Sequence, residues 1–169
     1  MTEEKKQPSR SEREAKIKDK AGWVITVLAA LLAINTLYGG QNSSKILNNT
    51  ISSNNQWAWY QAKNVRQVLY ETAAVEAKIP ANKEKFEAEA KRMEADKKVI
   101  MEKAKLLEAE REVARVKSPW FTWGGSTLQI SIVLLTASIL AVSTAMFWGS
   151  LVVGTVGAVF VLQAMFTIF

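Results

Sequence analysis

Residues 78–117 read KIPANKEKFEAEAKRMEADKKVIMEKAKLLEAEREVARVK, and this stretch decides the fold. Pro80 disfavours helix in the residue before it, and Asn82 can cap a helix that follows. Downstream, Phe86, Ala90, Met93, Lys97, Ile100, Ala104, Leu107, Arg111 and Ala114 alternate spacings of four and three, the period of a helix that buries one seam. The remaining positions are mostly Glu, Lys and Arg, with opposite charges one turn apart at Glu87 and Lys91 and at Glu94 and Lys98. Fully helical, residues 82–117 would extend ~54 Å, a solvated arm folded back at 78–82 on the helix before it.

The preceding arm offers its own seam: Leu47, Ile51, Asn54, Ala58, Gln61, Val65, Val68, Thr72, Val75 and Ile79 follow the same alternation. The expectation is therefore an antiparallel coiled-coil hairpin whose two apolar rows face each other. Asn54, Gln61, Lys97 and Arg111 would cost stability in a seam of only two helices, and make more sense if several hairpins meet or if register must be fixed. On this reading Lys97 and Arg111 either snorkel or pair with acids of another helix. Phe86, Met93, Ile100 and Leu107 are the candidate contact residues of the second arm.

Outward from the hairpin the composition changes sharply. Overall the 169 residues are 49% hydrophobic and 22% charged, yet residues 21–38 and 126–169 hold no Asp, Glu, Lys or Arg. Residues 1–20 form a basic, mixed-charge tail, expected to be flexible and to turn helical towards the apolar run. Residues 21–38, AGWVITVLAALLAINTLY, give ~27 Å of helix, close to the ~30 Å hydrocarbon thickness, with Trp23 and Tyr38 suited to the two interfaces. A signal peptide is the competing reading, but no convincing small-x-small site follows Leu32. Residues 39–55, GGQNSSKILNNTISSNN, either break the helix or carry it weakly into water.

Beyond the hairpin, which Ser118-Pro119 is expected to end, Trp120, Phe121 and Trp123 form an aromatic belt. A second span is expected at 128–147, a break at Trp148-Gly149 and a third span from 150 to 169. Ala137, Ala141 and Ala145 in the second and Ser150, Gly154 and Ala158 in the third recur every four residues. Such small-residue stripes let helices approach closely in lipid, within one chain or between chains. Asn35, Gln129 and Gln163 are the strongest polar groups in or near the spans and read as interhelical glue.

Several function classes are disfavoured. No Cys and no His removes disulfides, thiolate and imidazole metal sites and the commonest general base. The formal charge of +6 sits beside apolar spans, nearer to anionic lipid than to nucleic acid, and no nucleic-acid-binding motif is present. No nucleophile–base pair, phosphate loop or small-molecule site is evident, so no cofactor, metal or catalytic residue is expected.

The densest local signal is residues 56–71, QWAWYQAKNVRQVLYE. Trp57, Trp59 and Tyr60 cannot all face one seam and are expected to make a contact surface. This stretch resembles the QWAYYQAK-type motif of a family of small bacterial membrane proteins known as domain of unknown function 4337. The order of parts is similar over most of the chain: charged tail, span, aromatic motif, charged coiled coil, two closing spans. The sequence departs from the family in lacking the His residues often seen in the tail and near the second span. The resemblance implies an architecture and a bacterial origin, and no activity.

The fold expectation is an all-α integral membrane protein with three transmembrane helices and a long helical hairpin between the first and second. Its parts are a tail (1–20), a span (21–38), connector and hairpin (39–117), and belt with two spans (118–169). The expected function is non-enzymatic: self-assembly or scaffolding through the hairpin and the small-residue faces. The alternatives are an accessory subunit of a larger membrane complex, and a pore or holin-like protein. Membrane lipids and a homo-oligomer or larger complex are the expected partners. Lys and Arg before Trp23 outnumber those just after Tyr38, which puts the N-terminus in the cytoplasm and the hairpin in the periplasm of a bacterial inner membrane. Arg111, Arg115 and Lys117 before the second span argue the other way, but the first span usually dominates; the alternative is that residues 21–38 only dip into the membrane, leaving tail, hairpin and C-terminus all cytoplasmic.

Overall fold

A computed structural model of the chain describes residues 10–166, which form three α-helices and no strand. Helix α1 is Arg10–Glu76, α2 is Pro80–Leu140 and α3 is Thr144–Phe166, of 67, 61 and 23 residues. Each contains a stretch long and apolar enough to cross a membrane. The chain divides into two compact units: residues 43–115, the hairpin, and residues up to 42 together with 116 onward, the bundle.

The Gly/Asn/Ser-rich connector takes the helical alternative, because α1 runs through it unbroken. Of the basic tail, residues 1–9 lie outside the described residues and the rest is already helical. At the hairpin turn the expected cap is displaced. The helix starts at Pro80 rather than after Asn82, since proline's fixed φ suits the first helical position and its missing N–H is needed by no one there. The Ile79 carbonyl accepts from the Asn82 and Lys83 amides at 3.1 and 3.2 Å.

Pro119 does not interrupt α2, which continues to Leu140. It removes one ladder donor, a cost of about 3 kcal/mol or more in a helix interior that the surrounding contacts must offset. The break between the last two helices also differs from expectation: it falls at 141–143, six residues before Trp148-Gly149. The Ser143 amide donates to the Ser138 carbonyl at 3.1 Å and the Val142 amide to that of Ile139 at 3.3 Å. Together with φ of 50° at Val142 this is a Schellman C-cap. A β-branched residue in the left-handed position that glycine usually fills costs roughly 1–2 kcal/mol. Ser143 then opens α3, its Oγ accepting from the Met146 amide at 3.4 Å.

In the bundle the apolar core is Ile17, Ala21, Leu28, Leu128, Leu135, Phe147 and Val161, with Ile25, Leu32, Ile132 and Leu151 packed around it. In the hairpin the two helices run antiparallel. Tyr70 stacks on Phe86 at 6.3 Å, Lys63 meets Asp96, Trp57 meets Glu108 and Asn49 meets Glu110, so partners rise along α2 as they fall along α1.

Candidate interaction surfaces

The inward face of α2 in the hairpin is the one its period predicts. Ala90, Met93, Ala104 and Ala114 are buried, and Phe86, Lys97, Ile100, Leu107 and Arg111 are half-buried. The inward face of α1 is not. All ten residues of its apolar row, Leu47 to Ile79, are exposed, with Val75 at 85% and Val65 and Leu47 at 59%. Facing α2 instead are Ile46, Asn49, Ser53, Gln56, Tyr60, Lys63, Gln67, Tyr70, Ala74 and Ala77, again at spacings of three and four.

Chemistry explains the choice. The outer edges of the α2 seam carry Asp96, Glu108 and Glu110, which need donors, and the polar row of α1 supplies them. Lys63 Nζ lies 2.6 Å from Asp96 Oδ2, Trp57 Nε1 donates to Glu108 Oε1 at 2.8 Å, and Asn49 Nδ2 donates to Glu110 Oε2 at 3.3 Å. Hydrogen bonding to Lys63, with its positive charge, holds the Asp96 carboxyl below the usual carboxylate range. Lys97 is also met, by a neutral pair: its Nζ donates to Asn64 Oδ1 at 2.7 Å and stands 5.5 Å from the Tyr60 ring centre. An apolar row turned inward would leave the half-buried Asp96, Lys97 and Glu108 without these partners.

The aromatic motif is split by this geometry. Trp57 and Tyr60 meet edge to face at 5.6 Å on the flank of the seam, whereas Trp59 is 65% exposed on the outer side.

In the bundle the two small-residue stripes fare differently. Ala137 is half-buried on α2, but Ala141 lies in the turn and Ala145 in the first turn of α3, both exposed, so these three share no helix face. The row that does pack on α2 is Gly124, Gly125, Leu128, Ser131, Leu135 and Ser138. On α3 Ser150 and Gly154 are buried and Ala158 half-buried, joined by Gly157. Close approach here requires glycine. A Cβ on Gly154 would stand 2.7 Å from Ser131 Oγ and 3.0 Å from Leu28 Cδ2, and one on Gly157 2.7 Å from Thr127 Oγ1. That proximity lets Ser131 Oγ donate to the Ser150 carbonyl across the helices at 2.6 Å. Asn35 does act as glue, donating from Nδ2 to the Phe121 carbonyl at 3.0 Å, and Gln163 is buried, whereas Gln129 is exposed. These small-residue contacts are made within one chain.

Among the described residues no group of three or more acidic side chains is placed to hold a metal ion. A groove of about 480 Å³ near the hairpin turn is open and rimmed by both signs, Glu71, Glu87 and Glu94 against Lys83 and Lys91, with no convergent set of groups.

No curated protein and no solved structure matches the chain. A family model does, over residues 17–167, and the arrangement it covers is the one built up above: an apolar helix leading into the aromatic motif, a charged hairpin and two closing apolar helices. The chain belongs to the DUF4337 family, described as a domain of unknown function.

Proposed function

We propose that this chain is a non-enzymatic, multi-pass membrane protein that assembles with copies of itself, or scaffolds, through its hairpin. Three helices long and apolar enough to cross a membrane support the membrane part of the reading. Lipid gives apolar helices no hydrophobic drive to associate, so glycine and serine contacts such as Gly154 against Ser131 are the kind that hold spans together there. The observation that carries the assembly part is the ten-residue row of Leu47 to Ile79, nine residues on α1 and Ile79 in the turn, all exposed and seven of them apolar. A solvated helix face with no partner is ordinarily charged.

In this reading the protein sits in a bacterial inner membrane with its N-terminus in the cytoplasm and its hairpin in the periplasm, as the positive-inside rule orients the first span. The mass of the protein purified in detergent tests assembly. The protein component should be a multiple of 18.8 kDa, and a single-chain mass would refute self-assembly. A cysteine at Asn82 should react with an impermeant maleimide in cells with a permeable outer membrane, and one at Thr2 should not. The opposite pattern would invert the topology and leave the assembly reading intact.

A further inference from the structure

We propose that the outward row of α1 is the seam on which a second copy of this chain packs, α1 against α1, parallel and in register. The inference rests on the self-assembly reading and names its surface. The row spans residues 47–79, between four and five heptads, and its 4-3 spacing is that of a helix seam, so its natural occupant is another α-helix.

Charge selects what kind of helix. Residues 44–79 carry six charged side chains, Lys45, Lys63, Arg66, Glu71, Glu76 and Lys78, where residues 80–115 carry nineteen. Lys63 is engaged with Asp96, and Glu71 accepts from Gln67 of its own helix at 2.7 Å. None of the ten positions of the row itself is charged, and a highly charged partner face would be desolvated against it without compensation. In the hairpin, the described surface holds one neutral seam of matching length and spacing, which is the row itself. The exposed row on α2, Val99, Leu106 and Val113, repeats only once per heptad.

The polar positions fix the geometry. Asn54 and Gln61 each both donate and accept, so each can hydrogen-bond to its own twin. Parallel, in-register pairing brings Asn54 to Asn54 and Gln61 to Gln61, whereas an antiparallel pair cannot do so for both at once. A buried carboxamide at a seam position is also a known device for setting register and number of strands at some cost in stability.

The native chain has no cysteine, so the test uses single replacements in the full-length protein under mild oxidation. Val68→Cys should give a disulfide-linked dimer as the main product, and Lys98→Cys, on the charged face of α2, should remain unlinked. Val68 is 52% exposed, so the change leaves the intrachain seam intact. If Val68→Cys stays unlinked while the particle remains oligomeric, this seam is wrong and self-assembly stands. If the particle is also one chain in mass, both fail. Linkage only to copies carrying Leu106→Cys, or only to a different protein, would likewise overturn pairing of α1 with α1.

Discussion

The two arms of the hairpin are equal in length and opposite in design. Residues 80–115 turn a continuous apolar seam to the face that meets α1 and cover the rest mostly with charge, leaving Val99, Leu106 and Val113 outside. Residues 44–79 meet α2 through a polar and aromatic face and leave their apolar row outside. A helix with one apolar stripe has a single place to go; a helix with two faces of differing polarity is sorted by what its neighbour demands. The inner face of α1 answers the acids of α2, and its apolar row is left exposed.

Truncation should expose this asymmetry most strongly. Met93 is 5% exposed on the α2 seam, so Met93→Ala should cost the hairpin about 2–3 kcal/mol in thermal or denaturant unfolding. Val75, 85% exposed on α1 nearer the turn, should change folding stability by no more than about 0.5 kcal/mol when cut to Ala. Equal effects would mean that the two arms are built alike. A smaller difference separates the two tryptophans of the motif. Trp57→Phe removes the donor to Glu108 and should cost about 1 kcal/mol, while Trp59→Phe should leave unfolding unchanged.

The smallest effect belongs to the half-buried ion pair between Lys63 and Asp96. Asp96 has a lowered carboxyl pKa, so its contribution is present above the ordinary carboxylate range and is lost as pH falls through the lowered value. Asp96→Asn should therefore slightly lower stability at neutral pH and leave acid stability nearly unchanged, read from unfolding midpoints at two pH values. A larger loss in acid than at neutral pH would contradict the pairing.

Much of the fold is legible in the sequence. The α2 seam follows residue by residue, because Met93, Ile100 and Leu107 sit in a full four-three row, whereas the rival Val99, Leu106 and Val113 repeat only once per heptad. The three membrane-length helices follow from charge-free runs, and the family follows from residues 56–71. The facing of α1 was not legible from hydrophobicity alone, since what selects Tyr60, Lys63 and Gln67 is the chemistry of the other arm. The break at Val142 was hidden for a different reason. No glycine or proline marks it, and the Ser143-Thr144 cap is a weak signal beside Trp148-Gly149. The bundle seam was missed because serine and glycine pack there in a phase set by Asn35 and Leu28 of a helix far away in sequence.

The three-residue turn at 141–143 also bears on the order in which the bundle forms. Ser131 and Ser150 are 19 positions apart, whereas Asn35 and Phe121 are 86 apart. Closing the longer loop from an open chain costs about 1.3 kcal/mol more in entropy, and slower closure accompanies larger separation. The contacts of α2 with α3 are therefore expected to form first. Those of α1 would follow by zippering from the turn at 77–79, with Tyr70 and Phe86 among the first layers, so that one distant encounter becomes a series of near ones.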